Sequence, residues 1–128
     1  MRVIGDRHQL ERALRNVTDN AARHAQDRVE LRLHADSTTA TVEIVDDGPG
    51  IPPDDRERIF QRFVRLDQSR TRDSGGTGLG LPIARQIARA HRGDLVAMGS
   101  DTGARFVLSI PMSRRDQTPV ETTDPSSE

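Results

Sequence analysis

The 128-residue chain contains no cysteine, no tryptophan, no tyrosine and only three phenylalanines, and all 19 of its basic residues are arginine. Without cysteine, disulfides, thiolate metal sites and cysteine nucleophiles are excluded. Without lysine, so are the P-loop and the strand lysine of protein kinases, both of which set an ammonium on nucleotide phosphates. Schiff-base chemistry goes with them. Any basic side chain that meets a phosphate here must be a guanidinium. No apolar run approaches the length of a membrane span, and the N-terminus has no secretory signal pattern. A formal charge of −1 offers no basic excess for nucleic acid. The four histidines, His8, His24, His34 and His91, are scattered without metal-ligand spacing.

What is present suits one domain with a real core. Val3-Ile4 reads as the stub of a strand. Asp6 reads as an N-cap, and Leu10, Ala13, Leu14, Val17, Ala21 and Ala25 then recur at helical spacing, predicting a helix over residues 6–26. Asn16 and Asn20 lie four apart on one side of it. Asparagine is a mediocre helix former, so the pair is either a solvated polar edge or a site. Val29, Leu31, Leu33 and Ala35 alternate with Glu30, Arg32 and His34 as a strand, with His34 on its polar, surface side. Asp36 to Thr39 turns the chain into a second strand, making an antiparallel hairpin.

The second strand places Val42, Ile44 and then Asp46 on one inward face, with Asp47 on the other. An inward carboxylate is costly unless hydrogen bonds are donated to it. Gly48, Pro49, Gly50, Ile51 and Pro52 follow at once: the prolines block pairing, and the glycines let the backbone come close to a ligand. An acceptor-only carboxylate suits an exocyclic amine such as that of adenine, whereas guanine would present a carbonyl oxygen there. The plain alternative is a turn that ends a strand.

Pro53-Asp54-Asp55 can open a short helix running through Arg58 to Phe63, with Ile59, Phe60 and Phe63 as a hydrophobic plug. Residues 66–76 are polar, aperiodic and loop-like. Gly75 to Leu81 then enters a second helix whose buried face is Ile83, Ala84, Ile87, Ala88 and His91, ending at Gly93. A glycine-rich entry to a helix N-terminus is a physical recipe for binding phosphate, because free amides and the positive end of the helix dipole meet the anion unobstructed. Leu95 to Met98, then Phe106, Leu108 and Ile110, read as two strands. Residues 113–128, polar and with no apolar pattern, read as a disordered tail, leaving 1–112 as the domain.

Four motifs now stand in order: Asn16 to Ala21, Asp46 to Gly50, Ile59 to Phe63, and Gly76 to Leu81. With these the chain resembles the catalytic, ATP-binding domain of bacterial two-component sensor histidine kinases, within the GHKL superfamily, from about Gly5 to Pro111. The resemblance implies a two-layer α/β sandwich (the Bergerat ATP-binding fold), helices over a mixed, mostly antiparallel sheet. It implies ATP and Mg2+ as cofactors. Asn20 would ligate magnesium through its side-chain oxygen, with phosphates and water completing the shell. Asp46 would accept the adenine amine with Gly50 beneath the ring. Arg23 would reach the phosphates, His24 would border the nucleotide, and Arg65 would steady the γ-phosphate. Gly76, Gly78 and Gly80 would hinge the ATP lid and contact phosphate. Gly48, Ile51, Phe63, Thr77, Leu79 and Leu81 complete the implied ATP-binding set. A first strand before the helix is usual in the family, and only Val3-Ile4 could belong to it. Ala104 departs from a position where threonine or serine is frequent.

Asn16 stands where the ATPase relatives carry a glutamate base. Asparagine cannot take a proton, so the resemblance implies phosphotransfer rather than efficient hydrolysis. No histidine has the sequence context of a phosphoacceptor. The chain therefore reads as a largely monomeric catalytic domain serving a dimerisation and phosphoacceptor domain of the same sensor kinase and, beyond it, a response regulator. The site would be cytoplasmic, in a parent protein of the bacterial inner membrane. Two alternatives stay open: a stand-alone anti-sigma-type serine kinase, and a degenerate nucleotide-binding or docking module.

Overall fold

The computed structural model of the chain describes residues 3–61, 80–99 and 103–112. Asp6 caps the first helix, α1 (Arg7–His24), by accepting the Gln9 amide at 3.1 Å. Strands β1 (Val29–Ala35) and β2 (Thr39–Asp46) form the expected hairpin, closed by Asp36, whose carboxylate accepts the amides of Thr38 and Thr39, each at 2.8 Å. Helix α2 (Gly80–Ala90) leads to β3 (Asp94–Gly99) and β4 (Ala104–Pro111). The sheet order is β1-β2-β4-β3, and every pairing among the described strands is antiparallel.

The two helices cover one face of the sheet. Ile44, Phe106 and Ala97 lie in one row across the sheet, and Val42, Leu108 and Leu95 in the next. Against them pack Ala13, Val17 and Ala21 from α1 and Ala84, Ile87 and Ala88 from α2. Small alanines on both helices let their backbones come close, and the bulk is supplied by Phe106, Ile44, Leu95 and Val17, all fully buried. Each such side chain contributes roughly 1.5–3 kcal/mol of burial. Ile59 and Phe60 join this core, as the plug reading expected.

Four details depart from the sequence reading. Val3 and Ile4 are not in a strand; Val3 packs against the core and Ile4 is exposed. The short helix expected from Pro53 toward Phe63 is two separate 3₁₀ turns, Pro53–Asp55 and Arg58–Phe60, broken by a turn at Arg56 and Glu57. Leu31 and Leu33 pair with Ile44 and Val42, yet they remain largely exposed, because α1 lies mainly over β2 and reaches the edge strand less. At the end of α2, Arg92 and not Gly93 takes the left-handed conformation, with φ of 70°. The amide of Gly93 reaches the Ala88 carbonyl (2.8 Å) and that of Arg92 reaches Arg89 (3.0 Å), a Schellman closure. Gly93 is needed for a different reason: a Cβ there would run into the Ser109 carbonyl of β4. The loop reading of residues 66–76 and the tail reading of 113–128 lie outside the described residues.

Candidate functional site

The inward periodicity of β2 carries through to its last residue. Asp46 is 2% exposed, the one buried charged residue among those described. Its Oδ1 accepts the amide of Gly48 at 2.8 Å and the amide of Ala104, the first residue of β4, at 3.4 Å. These backbone donors meet the cost of burying the carboxylate. The backbone amide of Ala104 thus serves the site, although its side chain departs from the family pattern.

The glycines around Asp46 have separate reasons. A Cβ on Gly48 would collide with the backbone carbonyl of His24. Gly50 has φ of 85°, the left-handed region, and stands opposite Gly103 at ordinary contact distance. Gly103, just before β4, is buried, and a Cβ there would meet the Asp46 carbonyl and the Gly48 backbone. Loop and strand therefore meet backbone to backbone around the carboxylate.

Asn16, Asn20 and His24 follow at intervals of four on α1, so they form one stripe along the helix. All three are half-buried. The Asn16 side-chain amide donates to the Gly80 carbonyl at 3.2 Å and so ties α1 to the start of α2. His24 ends the stripe beside Asp46. Burial lowers its pKa, the Arg23 guanidinium lowers it further, and the Asp46 carboxylate opposes both. His24 is thus a neutral ring at pH 7. Arg23 is exposed on the last turn. Ile51 and Leu81 are half-buried against the core, from the loop after β2 and the first turn of α2. Gly80 is the first residue of α2.

The structure therefore brings Asn16 to Gly80 and His24 to Gly48 and Asp46, with Asn20 between Asn16 and His24 on α1 and Gly50 in the loop after Asp46, while Ile51 and Leu81 pack against the core. Phe63, Arg65, Gly76, Thr77, Gly78 and Leu79 lie outside the described residues. Among the described residues no group of three or more His, Asp or Glu is arranged to hold a metal ion. Asn20 offers a single neutral oxygen, a donor set that suits a hard cation taking its remaining ligands from phosphate and water.

Two contributors were not legible beforehand. Asp47, on the far side of the strand from Asp46, accepts amides from the α1–β1 corner. Arg85 on α2 makes a bidentate pair with Glu57 at 2.9 and 2.8 Å and lies 4.2 Å from the centre of the Phe60 ring, fastening the second 3₁₀ turn to α2. The aspartate pair and the arginine are visible in the sequence, but their partners are distant along the chain.

Residues 5–114 match the family described as histidine kinase-, DNA gyrase B-, and HSP90-like ATPase. Sensor histidine kinase CpxA of Escherichia coli (strain K12) is 42% identical over 114 residues, 88% of this chain and 25% of that protein. Sensor histidine kinase MtrB of Mycobacterium tuberculosis (strain ATCC 25618 / H37Rv) is 46% identical over 111 residues, 85% of this chain and 20% of that protein. The chain thus spans a quarter or less of these relatives. Among solved structures, mycobacterial sensor histidine kinase MprB superposes with a TM-score of 0.75 at 38% identity, over 85% of this chain and 76% of that one. Full-length ShkA in complex with AMPPNP superposes with a TM-score of 0.74 at 32% identity, over 87% of this chain and 23% of that one.

Proposed function

The chain belongs to the histidine kinase-, DNA gyrase B- and HSP90-like ATPase family, among the catalytic ATP-binding domains of sensor histidine kinases, and from that premise we propose that it binds Mg-ATP along the stripe from Gly80 to Asp46 and supplies the γ-phosphate to a histidine on a separate domain. The observation that carries this reading is the buried Asp46 carboxylate. Two backbone amides already hold its Oδ1. Oδ2 is then the oxygen that meets the exocyclic amine of adenine, with Gly50 beneath the ring and the neutral His24 at its side. Along α1, the eight steps from Asn16 to His24 rise about 12 Å, the scale of an extended nucleoside triphosphate. Asn20, between them, is placed to hold magnesium on the phosphates, and Arg23, one turn from Asn20, adds a positive charge.

Asn16 argues for phosphotransfer over hydrolysis. Its amide is engaged with the Gly80 carbonyl, and an amide cannot accept the proton of an attacking water. Arg65 and the glycine run Gly76 to Gly80, with Thr77 and Leu79, complete the phosphate end in this reading, and Phe63 completes the ATP-binding set. The acceptor is a histidine on the dimerisation domain of the same sensor kinase, with a response-regulator aspartate as the next acceptor. The parent is a sensor of the bacterial inner membrane, with this domain on its cytoplasmic side.

The reading is tested by calorimetric titration with ATP and GTP, each with and without magnesium, followed by addition of a separately prepared phosphoacceptor domain and labelled ATP. Magnesium-sensitive ATP binding, weak GTP binding and acid-labile phosphate on the acceptor are the expected results. Failure of a folded sample to bind ATP would leave a docking module. Phosphate on a serine of a separate protein would favour the serine-kinase alternative.

A further inference from the structure

Asp47 points away from the nucleotide-facing set, yet its carboxylate is fully engaged. Oδ1 accepts the amide of Gln26 at 2.7 Å and that of Asp27 at 3.1 Å; Oδ2 accepts the amides of Asp27 and Arg28, each at 3.1 Å. Three successive amides converging on one anion form a backbone cradle of the type that elsewhere binds phosphate, here filled by the protein's own side chain. Burial works against the charge, but the amides of Asp27, Arg28 and Gln26 outweigh it and hold the carboxyl group below the usual aspartate range.

The three amides belong to the corner between His24, the end of α1, and Val29, the start of β1. Val29 pairs with Asp46, so Asp47 closes the open end of the β1–β2 hairpin onto that corner. On the other side of the same corner, the His24 carbonyl abuts Gly48. The Gly48 amide in turn orients the Asp46 carboxylate at 2.8 Å. We propose that Asp47 is a positioning residue of the base site: by gathering the amides of residues 26–28 it holds the end of α1 against Gly48 and keeps Asp46 aligned for an exocyclic amine. The inference rests on the nucleotide reading above. It also separates the two ends of the site. Upstream of His24, α1 is held by Val17 and Ala21, both fully buried, so loss of Asp47 frees the corner while Asn16 and Asn20 stay in place.

The test compares wild type, Asp47→Asn and Asp47→Ala by titration with ATP and GTP, with and without magnesium, and by amide NMR of the nucleotide-free protein. Asparagine keeps one acceptor oxygen and alanine keeps none. ATP affinity and the ATP-over-GTP ratio should fall in the order Asp, Asn, Ala, with the alanine variant weaker by about tenfold. The factor that magnesium adds should stay constant. In the nucleotide-free spectra the amides of Gly48 and Ala104 should move together with those of residues 26–28. A merely structural role would lower the melting temperature and leave the ATP-over-GTP ratio of the folded variants unchanged. That result, or unmoved Gly48 and Ala104 amides, overturns the proposal. Wild-type protein that binds no nucleotide would instead refute the base-site reading, and the nucleotide-free amide shifts would still decide whether Asp47 holds Gly48.

Discussion

The backbone carbonyl of His24 occupies the space that a Cβ on Gly48 would need. The end of α1 and the loop after β2 therefore meet with no side chain between them, and the Asp46 carboxylate is set by that contact. Gly50, two residues on, has room for a Cβ but holds a left-handed φ. The two glycines are constrained by different physics, and substitution should separate them. Gly48→Ala forces backbone against backbone and should cost about 2 kcal/mol or more of stability, with loss of ATP binding. Gly50→Ala faces only the left-handed strain, about 1 kcal/mol. Thermal melts beside ATP titrations check the order; equal effects at the two positions would contradict it.

Asp46→Asn isolates recognition from folding. The asparagine oxygen can still accept the amides of Gly48 and Ala104, so the melting temperature should change little. The charged acceptor for an exocyclic amine is lost, and ATP affinity should drop about tenfold or more. Calorimetry on a sample with an unchanged amide spectrum is the measurement.

His24 gives a pH dependence of defined sign. Burial and Arg23 hold its pKa below the ordinary value of 6.5. Folding thus disfavours the protonated ring. The stability this contributes is complete above that ordinary value and is lost as pH falls through it toward the lowered folded value. His24→Gln should flatten the stability slope on the acid side of 6.5, read from denaturant midpoints in a pH series. An unchanged slope would assign the acid sensitivity to other groups.

Arg85 and Glu57 are unequal partners. The arginine side chain is 11% exposed and the glutamate 74%. Arg85→Ala removes the Phe60 stacking and leaves Glu57 and Asp94 without their shared cation, an expected loss of about 2 kcal/mol. Glu57→Gln at the exposed end should cost well under ~1 kcal/mol. Arg85→Lys should not restore the loss, because an ammonium cannot make the bidentate fork. Chemical denaturation of the three variants gives the comparison.

The sequence by itself determined the two α-helices, the four described strands and the inward carboxylate. Alternation from Thr41 to Ile44 reads as a strand with Val42 and Ile44 on its covered face, and the side-chain period of two carries that face on to Asp46. Helical spacing from Leu10 to Ala21 fixed α1 in the same way, and with it the stripe of Asn16, Asn20 and His24. Those are local consequences of backbone geometry. Only the tertiary structure decided what depends on contacts between distant parts of the chain. Leu31 and Leu33 share the alternating pattern of β2, yet they stay exposed because β1 is the edge strand and α1 lies mainly over β2. Gly93 marks the end of α2 in either view, but it is required by the approach of Ser109 and leaves the left-handed turn to Arg92. Asp47 and Gly103 carry no local sign of their importance. The amides that Asp47 collects lie 19 to 21 residues before it, and Gly103 matters because the sheet brings β4 beside the loop after β2. A side-chain period is written in the sequence itself, whereas the identity of a distant partner is fixed only when the chain closes on itself.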